Sequence, residues 1–405
     1  MKKKKILFVM DTFPLGGISK SLLALFNQLG DRYKIDFFLM HKDGLFVPLI
    51  PKSVNVISDL LPEEFRSPNP KYLFKNFFSL DFCDWLKWVQ FSILCSLARL
   101  RGGLYKMVNV MDSWLAKHTP SIDEHYDAAI AYQGGRCIYY IIEKINADVK
   151  IGYVHNNYSS SPIDFMLKPM DNKYFPKLDY IVTISNICLR SLLEEFPLLT
   201  EKCLVIENIC SPKLIRQNAK CGESFNDSFR GCRIVTICRL DIWQKGIDFA
   251  IDVCKILKDR NIQFKWYLLG DGEQRSKIES MVDDMDVADC FILLGAKVNP
   301  YPYVANADIY VQTSRVEGKS VALDEVKALA KPIVVTNFSS VNDQFINENN
   351  ALIAEMEPVD IANKIERLIN DSELCNILIG NLKKEKIGNE EQVQIFESLL
   401  NGYKD

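Results

Sequence analysis

The 405-residue chain has no run of about 18 apolar residues, so no segment reads as a membrane-crossing helix. None of its 12 cysteines sits in a Cys-x-x-Cys pair, and His41, His118, His125 and His155 are far apart, so metal-ligand spacing is absent. Charge of one sign is lacking too. Lys plus Arg is 49 and Asp plus Glu is 52, a net of -3, which argues against a dedicated nucleic-acid binder. No secretory leader is expected, because the apolar stretch Ile6–Met10 behind Lys2–Lys5 is short and ends at Asp11. With hydrophobic residues at 48% and charged residues at 25%, disorder is excluded as the main state. The cysteines fall mostly on or beside apolar runs and read as buried thiols of a reducing cytoplasm.

What is present is a rhythm. Short apolar runs recur at Ile6–Met10, Ile35–Met40, Val54–Ile57, Ala128–Tyr132, Ile151–Val154, Tyr180–Ile184 and Leu204–Ile206. They continue at Ile234–Cys238, Phe264–Leu269, Phe291–Leu294, Ile309–Gln312, Ile333–Thr336 and Ala351–Ala354. Hydrophobicity that is continuous rather than alternating predicts strands buried on both faces, hence parallel sheets covered by helices. Helical patterns at Ser19–Leu29, Ile247–Leu257 and Leu323–Ala330 lie between them, so the fold class is doubly wound α/β. Polar residues around Cys210–Arg230 predict a linker, giving an N-terminal domain over 1–210 and a C-terminal domain over 211–384. A last helix is expected over 385–405. Residues 62–120 interrupt the rhythm as a helical insertion in which Trp85, Trp88 and Trp114 mix with Lys and Arg.

Four places carry candidate chemistry. Gly16-Gly17 follows the first strand and precedes a helix, where backbone N–H groups can approach an anion. A three-glycine dinucleotide fingerprint and a ribose-binding acid after the second strand are absent, which weighs against a nicotinamide oxidoreductase. Arg239 and Lys245-Gly246 place two cations past the strand Ile234–Cys238, beside a helix start. Gly270-Asp271-Gly272 forms a further strand-to-helix turn. On the residues alone, tight turns and solvated charges account better for these three. The segment Ser314-Arg315-Val316-Glu317-Gly318-Lys319-Ser320-Val321-Ala322-Leu323-Asp324-Glu325 is more specific. Its loop at Gly318–Ser320 opens a helix whose first N–H groups suit a diphosphate, and Glu317 and Glu325 suit hydroxyl groups.

In this order the motifs resemble glycosyltransferase family 4, retaining sugar transferases of the GT-B fold. Further likeness comes from Val205-Ile206-Glu207-Asn208, Asn299-Pro300-Tyr301-Pro302-Tyr303 and Asn306-Ala307-Asp308. The likeness is strong over about 150–340, weaker before it, and nearest to bacterial enzymes of capsule, exopolysaccharide or O-antigen synthesis. Lys319-Ser320 stands where many members have Phe-Gly, and Cys238 where a glycine often opens the Arg/Lys motif. The resemblance implies two facing Rossmann-like domains, with the C-terminal helix returning to the N-terminal one. It implies a nucleotide-sugar donor, with a UDP-sugar expected, no metal or other cofactor, and a glycan or polyprenyl-linked acceptor. Arg239, Lys245, Gly270 and the Gly318, Lys319, Ser320 and Val321 backbone would hold the diphosphate, with Gly16 and Gly17 closing over it. Glu325 would bind ribose. Glu317 would touch the donor sugar on one side and His155 on the other. A cytoplasmic protein, peripheral at an anionic membrane surface through Lys2–Lys5 and the insertion, is expected. A non-catalytic nucleotide-sugar-binding partner subunit, or another GT-B activity such as an epimerase, remains an alternative at this stage.

Overall fold

The computed structural model describes residues 3–14, 16–66, 69–158 and 162–401; Lys2 and Tyr403 lie outside them. All thirteen apolar runs form strands. They are β1 (Lys5–Met10), β2 (Lys34–Leu39), β3 (Val54–Ser58), β4 (His125–Ala131), β5 (Asn146–Val154), β6 (Tyr180–Thr183) and β7 (Cys203–Val205). They continue as β8 (Cys232–Ile237), β9 (Phe264–Leu269), β10 (Phe291–Gly295), β11 (Ile309–Gln312), β12 (Ile333–Thr336) and β13 (Leu352–Ala354). The first seven make a parallel sheet of order β3-β2-β1-β4-β5-β6-β7, and the last six a parallel sheet of order β10-β9-β8-β11-β12-β13. Four successive residues of β1, Ile6 to Val9, are wholly buried, which is what helices on both faces of a sheet require.

Contacts divide the chain into two units. The first comprises Met1–Pro14, Leu25–Glu207 and Glu391–Asp405; the second comprises Leu15–Ala24 and Asn208–Glu390. Helix α1 (Gly17–Leu29) therefore begins with the second unit and ends with the first. The last helix is Gln392–Leu399, shorter than the expected 385–405. Within the first unit Phe396 stacks on Phe8 at 5.9 Å, and Arg32 pairs with Glu397 at 2.7 Å.

The insertion holds helices α2 (Leu73–Ser79) and α3 (Phe82–His118). Asp81 caps α3 by accepting the Asp84 N–H, and Gly102 and Gly103 kink it. One face of α3 makes its own small core, with Trp114 stacked on Phe65 and tilted against Phe91. Trp88 is fully buried there, its indole N–H donating to the Glu64 carbonyl at 2.9 Å. This corrects the expectation of interfacial tryptophans: Trp88 and Trp114 are core residues. Two of the N-terminal lysines are also engaged within their unit. Lys4 donates to the Leu400 carbonyl, and Lys5 pairs with Asp36 and Glu124.

Candidate active site

In the second unit β8 and β11 are neighbours, although β8 runs on to β9 on one side and β11 to β12 on the other. The strand order reverses there, and the carboxyl ends of strands at such a point are the general place for ligands in such sheets. Arg239 follows β8 and Lys245 ends the short helix Ile242–Lys245 beyond it, while Glu317 to Ser320 lie on the loop between β11 and the helix Val321–Ala328.

Glycines bring these loops together. Gly246 sits at φ 59°, and a Cβ there would lie 2.0 Å from the Thr313 carbonyl oxygen. The Thr313 hydroxyl donates back to the Lys245 carbonyl at 3.0 Å. Gly270 has φ 156°, and a Cβ there would lie 1.8 Å from the Cys238 carbonyl oxygen. Its place in the motif is thus explained by close backbone packing of the β8 and β9 loops.

Lys245 and Glu317 meet. Lys245 Nζ donates to Glu317 Oε1 at 2.7 Å, and the same oxygen accepts from Gln312 Nε2 at 2.9 Å and Ser314 Oγ at 2.7 Å. Both side chains are largely buried, so charge pairing and three donors compensate their desolvation. Arg239 is not part of this cluster. Its side chain is 62% exposed and is held by Gln244 Oε1 at 2.7 Å.

Glu325 lies one turn into the helix Val321–Ala328 and is buried. Its Oε1 accepts from the Tyr301 hydroxyl at 2.7 Å and from Lys20 Nζ at 2.9 Å, while Oε2 accepts from Lys20 at 2.6 Å. Gly17 belongs to the same unit, and a Cβ there would come 3.3 Å from Val321 Cγ2, whereas Gly16 has open space around it. The expectation for Ser320 needs correction. Its N–H is taken by Gln344 Oε1 at 3.0 Å and its hydroxyl by Gln312, so Ser320 braces the loop rather than offering its N–H to an anion. Gly318 and Lys319 are half-buried beside it.

Lys20, Tyr301, Gln312 and Gln344 are absent from the sequence-derived site. Tyr301 carried a signal, since it lies in the Asn299-Pro300-Tyr301 motif. Lys20 carried none, being 305 residues from its partner.

In the first unit His155 follows β5 and is buried. Burial pushes its pKa down to about 4, so the ring is neutral near pH 7. Nε2 lies 2.9 Å from the Tyr132 carbonyl, which can only accept, so Nε2 carries the proton. Nδ1 is then an acceptor, and it is buried without a hydrogen-bond partner among the described residues. A polar group missed by sequence reading sits at the β1 and β4 ends of the same sheet. Arg136 donates to Asp11 at 3.1 Å and lies 3.7 Å from Asp112, while His41 is 3.9 Å from Asp11. Burial, with Asp11 nearby and Arg136 opposing, raises the Asp112 pKa to about 6.

Residues 233–385 match the family model described as glycosyl transferases group 1. This region contains Arg239, Lys245, Gly270, Glu317 and Glu325. Over 206 residues, 51% of the chain, it is 26% identical to the N-acetylgalactosamine-N,N'-diacetylbacillosaminyl-diphospho-undecaprenol 4-alpha-N-acetylgalactosaminyltransferase of Campylobacter jejuni. The chain spans about half of that relative's length, 53%. Two solved structures are similar throughout. A TarM variant of S. aureus, in complex with fondaparinux, alpha-GlcNAc-glycerol and UDP, superposes with a TM-score of 0.67 at 15% identity, over 98% of this chain and 100% of that one. HepE of Anabaena, in complex with UDP and glucose, gives 0.67 at 18% identity with the same coverages. At these identities the likeness fixes the fold, which is GT-B.

Proposed function

We propose that this protein is a glycosyltransferase that moves a sugar from a nucleotide-sugar donor to a glycan or lipid-linked glycan in cell-surface polysaccharide synthesis. The observation that carries the reading is the cluster beyond the carboxyl ends of β8 and β11, where the Lys245–Glu317 pair and Glu325 stand beside the start of the helix Val321–Ala328. Match of this region to the group 1 transferases supports it, as do the UDP complexes of the two similar structures. The donor is a UDP-sugar.

Lys245 and Arg239 stabilise charge on the departing diphosphate as fixed cations, with the helix N-terminus adding its dipole. Gly16, Gly17, Gly318, Lys319 and Val321 bring backbone close to the phosphates, and Gly270 keeps the neighbouring loop out of the way. Glu325, steered by Tyr301 and Lys20, binds ribose hydroxyls. Glu317 contacts the donor sugar, and within the first unit the unpartnered Nδ1 of His155 is an acceptor suited to a hydroxyl group. The bond between the anomeric carbon and the diphosphate oxygen breaks. A bond from the acceptor oxygen forms on the same face, and the acceptor proton passes to the departing oxygen. Configuration is retained and no divalent ion is needed, because Lys245 and Arg239 supply the charge. The reaction takes place on the cytoplasmic side of the cell membrane, where a polyprenyl-linked acceptor is presented.

Binding of UDP, followed by calorimetry with and without EDTA, tests the donor assignment. Binding retained in EDTA is expected; binding that depends on added Mg or Mn would overturn the metal-independent reading. NMR of the product's anomeric centre tests retention, and inversion would contradict it.

A further inference from the structure

Helix α3 has a second face. Phe82, Leu86, Ile93, Leu97 and Leu100 are all exposed, Leu100 to 84%. At ~100° per residue these five fall within about 60° of one another, before the kink at Gly102. They form one outward apolar stripe on the side of the helix away from Trp88, Phe91 and Cys95. The stripe broadens at its start, where Phe77, Phe78 and Phe82 gather around Trp85: Phe77 lies 5.2 Å and Phe82 6.2 Å from it, and Phe78 is 5.4 Å from Phe77. Leu104, past the kink, is also exposed. An apolar surface this continuous is costly to leave in water and marks an interaction face.

The charges around the stripe identify the partner. Arg99 and Arg101 are exposed and lie about 100° to either side of Leu100. Between Asp84 and Asp112 the chain has Lys87, Arg99, Arg101 and Lys106 and no acidic residue. Two copies of this face would bring like charges together, whereas an anionic bilayer offers an apolar interior beneath negative headgroups. Long cationic side chains can reach those headgroups while the stripe sinks between acyl chains.

We propose that the outward face of α3, extended by Phe77 and Phe78, is a membrane-docking surface that binds anionic phospholipid, and that Lys4, Lys5, Trp88 and Trp114, held within their unit, are not part of it. The inference depends on the proposed function only for its purpose, access to a lipid-linked acceptor; the contact itself rests on the stripe and its flanking arginines.

Flotation of the full chain tests it, using vesicles of phosphatidylcholine with about 30% phosphatidylglycerol, whose anionic surface attracts basic side chains, and vesicles of phosphatidylcholine alone. Wild type is expected to float with the anionic vesicles at low salt and progressively less as salt rises. Leu97→Ser with Leu100→Ser, and Arg99→Gln with Arg101→Gln, are each expected to lower the bound fraction at least ~10-fold with unchanged Tm, since all four residues are exposed. Lys4→Gln is expected to float as wild type does. Absence of flotation at low salt overturns the proposal, as does binding that survives both double variants. So does a wild-type dimer in light scattering that the leucine variant dissociates, which would make the stripe a self-association face. UDP binding is measured on the same samples. Wild type that binds UDP but does not float refutes the docking surface alone, and wild type that floats without binding UDP refutes the transferase reading alone.

Discussion

Lys245 and Glu317 hold each other at 2.7 Å in a largely buried setting, so a change in either leaves a charge without its partner. Lys245→Ala is expected to lower turnover at least ~10²-fold, the scale of losing one donor to a developing charge. Arg239→Ala should have a similar effect on turnover and little on Tm, because Arg239 is exposed; wild-type turnover in either would remove that residue from the site. The two acids should separate. Glu325→Ala is expected to weaken UDP binding in calorimetry, whereas Glu317→Ala should retain UDP affinity and lose turnover, and the reverse pattern would exchange their roles. Asp112 gives a pH test. Its carboxyl titrates near 6 in the folded chain and near 3.8 when unfolded, so the folded state holds the extra proton between these values. Stability from this group is full below about pH 4 and lost as pH rises through 6, a change of about 3 kcal/mol. Asp112→Asn should flatten this part of the Tm–pH profile, and an unchanged slope would contradict the raised pKa.

At the scale of elements, the loops after β8, β9 and β11 are locked by glycines that admit no side chain. Gly246→Ala and Gly270→Ala should each cost more than ~2 kcal/mol in denaturant unfolding, from overlap with a carbonyl oxygen and from positive φ. Gly16→Ala, with open space around it, should leave stability within ~0.5 kcal/mol of wild type. Equal stabilities for all three would refute the packing. These elements were largely legible in the sequence, because a strand buried on both faces must be apolar throughout, and each such run became a strand. Partner choice was less so. Nothing local to Lys20 or Glu325 encodes their pairing, and the Ser320 N–H is claimed by Gln344 from 24 residues away. Helicity of the insertion was readable from its pattern, but α3 is apolar on two faces. Only packing shows that Trp88 and Trp114 turn inward while Leu97 and Leu100 turn out.

At the scale of the whole molecule, each unit places its polar groups at the carboxyl ends of a parallel sheet where the strand order reverses: β8 and β11 in the second, β1 and β4 in the first. Residues 391–401 belong to the first unit, where Phe396 stacks on Phe8 and Glu397 pairs with Arg32. What the molecule does with this arrangement is decided most directly by nucleoside diphosphate release from a panel of nucleotide sugars, measured for wild type and for Lys245→Ala with acceptor extracts present. The account predicts release from at least one UDP-sugar by wild type and a rate at least ~10²-fold lower in the variant. Wild type that releases no nucleotide from any donor, or a variant as fast as wild type, would contradict it.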